Sequence, residues 1–337
     1  MNRSATRMLI GLIAVLAVGL LLAGCGAPAA APAEEATAAP AAEVQVAQSG
    51  LVFGLATHAN PGDSFWGVVE TGAEDAAAAV GAELKKGGSG VPEEQAQLVE
   101  AYTSEGVDGI IVSLANPEAM QDAVTAAVAA GIPVITINSG ADQWKDLGAL
   151  NHVGQSEFVA GQGAGEKMSE AGAGKVLCVM HEEGNVGLEE RCGGLEDTFT
   201  GEVERFNVAT TGTADIAGTE ASIQDKLISD DSINAILTLN PDVAAAANNA
   251  VKAAGTEVAI ATFDLSPDVL EAIEAGEIMF AIDQQQYLQG YLPVIFLNLY
   301  NTNLNVVGGG LPVLTGPGFV DASNAADVKA LADAGTR

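Results

Sequence analysis

Aromatic residues make up only 4% of this chain, yet Phe65 and Trp66 stand side by side shortly after an apolar run, Leu51 to Ala56. An indole face is slightly negative and suits polarised C–H groups, so a ring here can wall a binding site without fixing a hydroxyl pattern. Neighbouring helical positions point about 100° apart, so one ring is expected to meet ligand and the other the core, with Trp66 as the stacker. Asp63, Asn138, Asp264 and Arg191 offer planar polar groups, between which a hydroxyl can donate to one and accept from another. His58 follows the first apolar run and is read as a hydroxyl ligand, whereas His152 and His181 are read as structural. No pair of the 3 histidines has helical i, i+4 spacing, and no cysteine or carboxylate completes a ligand set, so no metal is expected.

Enzyme readings fail on specific grounds. Gly161-Gln162-Gly163-Ala164-Gly165 lies inside a helix-like segment and lacks the strand-to-turn context of a dinucleotide fingerprint. Lys86-Gly87-Gly88-Ser89-Gly90 reads as a turn, and neither a phosphate loop nor a G-x-S-x-G nucleophile elbow is present. The chain is therefore not expected to be an enzyme or to hold a cofactor.

These residues need a scaffold that brings them together. At 337 residues the chain suggests two lobes, and 48% hydrophobic residues exclude a disordered chain. Lys+Arg 13 against Asp+Glu 44 leaves a net charge of −31, which disfavours nucleic acid and favours a neutral or cationic partner. From Leu51 onward short apolar runs alternate with helix-length segments: Leu51 to Ala56, Gly109 to Ser113, Pro133 to Ile137, Lys175 to Met180, Ala235 to Leu239, Val258 to Phe263 and Ile278 to Ile282. This is the pattern of doubly wound parallel sheets, an α/β fold. Val107 to Asn138 and Ile233 to Asp264 repeat one order: strand, Asn-Pro, Ala-rich helix, Gly, strand, polar residue. Asn138 and Asp264 thus take equivalent places beyond a strand's carboxyl end, where open α/β sheets bind ligands.

The amino terminus reads as an export signal. Arg3 and Arg7 precede an uncharged run from Met8 to Gly24, which ends in Leu22-Ala23-Gly24-Cys25. That box resembles the bacterial lipoprotein signal, which implies cleavage before a lipidated Cys25 that anchors the protein outside the cytoplasm. An uncleaved helical anchor would give the same topology. Residues 25–50 are Ala- and Pro-rich and read as a tether. Cys178 and Cys192 are then the only cysteines of the exported body, either bridged or as two buried thiols.

From Leu51 to about Phe319 the chain resembles the ribose/galactose type of periplasmic sugar-binding protein, a type I periplasmic binding protein serving a bacterial ABC importer. The resemblance rests on Pro61-Gly62-Asp63-Ser64-Phe65-Trp66, Gly131-Ile132-Pro133-Val134, Glu190-Arg191-Cys192-Gly193-Gly194, Phe263-Asp264-Leu265-Ser266-Pro267-Asp268 and Ala281-Ile282-Asp283-Gln284-Gln285. It implies two lobes joined by a three-crossing hinge: 51–154 with 285–312, and 155–284 with 313–325. It also implies closure on a monosaccharide that is handed to a membrane permease, with the protein acting as a monomer. Arg191 matches the family's ligand-binding arginine, with a surface ion pair to Glu189 or Glu190 as the alternative. Asp264 matches the carboxylate of its Phe-Asp pair, with a helix cap before Pro267 as the alternative. Asn240 and Gln284 match a sugar-binding asparagine and glutamine, although Asn240 also fits a helix cap before Pro241. Ser113 stands where a further asparagine is found. Asn138 and Ser139 replace the Asp-Arg pair of ribose receptors, so the implied ligand shifts toward a pyranose aldohexose such as glucose, with inositol or a pentopyranose as alternatives. Delivery of a sugar or autoinducer to a signalling system is the other reading of function.

Overall fold

The sheets are assembled from runs such as GIIVS and VITI, buried along their whole length because helices cover both faces. A computed structural model describes residues 49–209 and 212–337. In chain order the first half holds β1 (Val52–Thr57), α1 (Ser64–Val80), β2 (Glu83–Gly88), α2 (Pro92–Glu105), β3 (Gly109–Ser113), α3 (Pro117–Ala129), β4 (Val134–Ile137) and β5 (Asn151–Gln155). The second holds α4 (Glu157–Glu170), β6 (Lys175–Met180), α5 (Val186–Thr198), β7 (Glu202–Asn207), α6 (Ile216–Ser229), β8 (Ala235–Thr238), α7 (Pro241–Ala254), β9 (Ala259–Phe263), α8 (Pro267–Glu274) and β10 (Phe280–Asp283). The chain then returns through α9 (Gln286–Asn303) and β11 (Val313–Gly316) before β12 (Gly318–Asp321) and α10 (Ala325–Asp333).

Two 6-stranded sheets result, ordered β11-β5-β4-β3-β1-β2 and β12-β10-β9-β8-β6-β7. Every pairing is parallel except β10 with β12. The α/β, doubly wound architecture read from the sequence is present. Lys86–Gly88 is the end of β2 rather than a turn. Because β11 pairs with β5, residues 313–316 belong to the amino-terminal sheet, not to the carboxyl-terminal lobe expected from 313. The last passage between sheets falls at 316–318, and α10 packs on α8 beyond position 325.

Helix α1 carries the aromatic pair at its start and is clamped against α9. A Cβ at Gly290 would stand 1.8 Å from the Val69 carbonyl oxygen, and one at Gly72 2.1 Å from that of Tyr287. Glycine at both positions lets the two backbones approach, which fixes where Phe65 and Trp66 emerge.

A disulfide joins Cys178 on β6 to Cys192 on α5, with the Cα atoms 6.1 Å apart and a sequence separation of 14. Closing a loop of that size restricts the unfolded chain by about 3 kcal/mol. Replacing both cysteines by alanine is expected to lower unfolding free energy by about 2–3 kcal/mol in urea titrations. A change within measurement error would mean that the bond is not formed in solution.

Candidate functional site

The carboxyl ends of six strands converge where the sheets face each other: His58 follows β1, Asn138 follows β4, His181 follows β6, Asn240 follows β8, Asp264 follows β9 and Gln284 follows β10. Asn138 and Asp264, equivalent in the internal repeat, share an unusual backbone, with φ of 64° and 69°. Asn and Asp tolerate this left-handed region better than other non-glycine residues. Each also donates its N–H to the next strand, Asn138 to the Val153 carbonyl at 3.1 Å and Asp264 to that of Ile282 at 2.8 Å. The repeat read from sequence is thus a repeat of backbone geometry.

Between these strand ends lies a small cavity, about 310 Å³ of empty space including its opening to solvent. Every residue singled out from sequence lines it except Ser113, and Ser139, His181, Glu182, Asn185, Leu188 and Leu239 join them. Ser113 is fully buried behind the wall, with its Oγ 2.7 Å from His58 Nδ1 and accepting from Gln95 Nε2 at 3.0 Å. It orients His58 and does not reach the cavity. His181 was expected to be structural and instead lines it. His152 is buried against Thr136, with Nδ1 2.9 Å from the hydroxyl oxygen, and stays outside.

Phe65 and Trp66 meet edge to face at 5.0 Å, and Trp66 meets the His58 ring likewise at 4.7 Å. Both aromatics line the cavity and both pack into the apolar core, so the expected division into one wall residue and one core residue does not hold.

Arg191 is 3% exposed and bound on two sides to the buried Glu157, through Nε at 2.6 Å and an Nη2 contact at 3.0 Å. Its Nη1 donates to the Leu239 carbonyl at 3.0 Å and lies 3.8 Å from Asp264. The surface alternative therefore falls: Glu189 pairs with Arg205 instead. The guanidinium also sits over the Phe263 ring, 4.4 Å from its centre. Held so firmly, Arg191 presents one face to the cavity in a fixed direction.

Asp264 accepts from Gln284 Nε2 at 2.8 Å, and Gln284 Oε1 accepts from Asn138 Nδ2 at 3.1 Å and from Gln289 Nε2 at 2.7 Å. Burial pushes the Asp264 carboxyl up to about 7 despite Arg191 and Gln284. Asp264 does not cap α8, since Ser266 does so by accepting from Val269 N at 3.2 Å. Asp63 does cap α1, accepting from Phe65 N at 3.0 Å, and its other oxygen accepts from Asn240 Nδ2 at 3.4 Å. Burial, with Asp242 and Glu182 nearby, raises this carboxyl to about 7. Asn240 caps α7 through its Oδ1 while its amide lines the cavity, so the two sequence readings coexist.

Contacts between the halves close over the cavity. Ser64 Oγ donates to Asp242 at 2.8 Å, Ser139 Oγ to Asn185 Oδ1 at 3.0 Å, and the Val186 N–H to the Ala115 carbonyl at 3.0 Å. Asn185, Glu182 and Glu157 were missed in the sequence. Asn185 could have been found as the helix cap before Val186, but Glu157 carried no signal.

No group of histidine, cysteine and carboxylate side chains among the described residues could hold a metal, and no described helix is long and apolar enough to cross a membrane. Cys25 and the signal and tether segments, up to residue 48, lie outside the described residues.

Two similar α/β halves meeting over a small polar cavity at their strand ends have the architecture of a two-lobed solute receptor. The chain belongs to the periplasmic binding protein family, whose domain model matches residues 53–300, and which comprises solute receptors rather than enzymes acting outside the cytoplasm. A carbohydrate transporter from Acidothermus cellulolyticus, solved in complex with myo-inositol, is 43% identical with a TM-score of 0.83, covering 86% of this chain and 100% of that one. The ribose import binding protein RbsB of Haemophilus influenzae is 28% identical over 254 residues, 74% of this chain and 84% of RbsB. The xylose/arabinose-binding protein XylF of Sulfolobus acidocaldarius is 26% identical over 242 residues, and this chain spans only 60% of its length.

Proposed function

We propose that this protein is the solute receptor of an ABC importer and closes on one six-membered polyhydroxylated ring, either a pyranose aldohexose such as glucose or a cyclitol. The observation that carries this reading is the cavity itself. Aromatic edges and faces from Phe65 and Trp66 meet planar polar groups from both halves, the combination that C–H surfaces and hydroxyls require. The relative carrying myo-inositol supports the cyclitol in particular. Ligand touching both halves favours the closed form, and a permease that recognises closed halves thereby senses occupancy. Action as a monomer tethered through a lipidated Cys25 outside the cytoplasm is part of the same reading.

The test is a thermal-shift and calorimetric series on ligand-stripped protein with glucose, myo-inositol, ribose, arabinose and amino acids. A bound ring at about a hundred times its dissociation constant should stabilise the protein by roughly 2.7 kcal/mol. Silence from both six-membered classes, with a response from amino acids, would overturn the proposal.

A further inference from the structure

The ring cavity is not sealed on the side of His58, His181, Glu182 and Asn185. These four residues also line a larger vestibule, about 1050 Å³ of empty space including its opening to solvent, with Asn60, Asn116 and Glu183 among its walls. At the junction stands the Glu182 carboxylate. It lies 3.6 Å from His58 Nε2, 3.9 Å from His181 Nε2, and accepts from Asn185 Nδ2 at 2.5 Å.

Acceptors outnumber donors here. His181 is 5% exposed, and its Nδ1 has no hydrogen-bond partner. Asp63 Oδ2 accepts from Asn240 Nδ2 at the long distance of 3.4 Å. The balance of charge has the same sign. Among the described residues, Arg191 is the only lysine or arginine lining either cavity, and its Nε and Nη2 are taken by Glu157. Burial lowers both histidines, His181 to about 4, so neither neutralises Glu182 at neutral pH. Against the cost of burial, the surrounding histidines, Asn185 and Arg191 hold the Glu182 carboxyl below its ordinary value, so it stands ionised at the junction, and a neutral ring brings it no charged donor.

We propose that the ring taken by this receptor carries an amino group, seated against Glu182 between His58 and His181. This rests on the reading of the cavity as a ring site and narrows its substrate class to amino sugars and aminocyclitols. An ammonium brings three N–H donors and no acceptor, which complements Glu182, the free His181 nitrogen and Asp63. The vestibule gives the substituent room, and the net charge of −31 draws cations toward the cleft.

The experiment is calorimetric titration of the full chain with matched sets: glucose, glucosamine and N-acetylglucosamine, and myo-inositol beside an amino-deoxy-inositol, at a pH where the amine is protonated. The amino compound of at least one set should bind about tenfold or more tighter than its hydroxyl and N-acetyl counterparts, the range of a charge-assisted hydrogen bond. In Glu182→Gln that ratio should fall to about one. Amines that bind no better than their neutral parents overturn the inference and leave the ring reading standing. A protein that binds neither amino nor neutral rings overturns both.

Discussion

Arg191→Ala is expected to lower the unfolding free energy by about 3–5 kcal/mol, far more than loss of a surface ion pair would. The reason is Glu157. It is 1% exposed and receives both Arg191 bonds, with Gln155 Nε2 at 2.8 Å as its other partner. Removing the guanidinium leaves a carboxylate in the interior with one neutral donor, and the cost is that of an uncompensated buried charge. Pairing Arg191→Met with Glu157→Gln should recover most of the loss, because both charges leave together. Guanidinium denaturation of the two variants beside the parent reads the difference directly. A single Arg191→Ala that costs under about 1 kcal/mol would mean that the pair does not lock the site. Ligand affinity should fall in both variants, so stability separates the structural share of Arg191 from its share in binding.

What the sequence made legible follows from how each element is buried. β1, β3, β4, β6, β8, β9 and β10 are covered on both faces and stand out as unbroken apolar runs. β2, reading ELKKGG, and β7, reading EVERFN, are edge strands whose alternate residues are exposed and charged, so they look like loops. β5 is wholly buried yet reads NHVGQ, because its polar groups are spent on segments packed against its two ends. Asn151 donates to the Val307 and Leu311 carbonyls and Gln155 to Glu157. In the site, Asn138 and Asp264 were reachable because a repeated strand-helix-strand order marks equivalent strand ends. Arg191, Asn240 and Gln284 were reachable only through resemblance to a family. Glu157, Glu182 and Gln289 were out of reach because their roles come from partners far along the chain, 34 residues away for Glu157 with Arg191. Charge and hydrogen-bond complementarity between distant elements leaves no local pattern to read.

Asp264→Ala is expected to weaken ligand binding by about 100-fold while leaving the fold intact, and the loss should carry a pH signature. A carboxylate that accepts from ligand hydroxyls contributes more than a neutral acceptor, because hydrogen bonds to charged groups are worth about 1.5–3 kcal/mol each. Burial raises this carboxyl to about 7, so near neutrality a share of the empty closed protein holds a proton there. Hydroxyl donors favour the ionised form, so binding below about pH 7 must release that proton and affinity falls as pH drops. Asp63, also raised to about 7, adds to the slope. Asp264→Asn should therefore remove part of the pH dependence along with affinity, leaving the share that belongs to Asp63. Stability of the empty protein runs the other way: the unfolded carboxyl ionises near 3.8 and the folded one near 7, so stability is lost as pH rises between them. Calorimetric affinities from pH 5 to 8 on the parent and Asp264→Asn test both signs together. A parent whose affinity is flat across that range, or rises toward acid, would show that the ligand does not donate to Asp264.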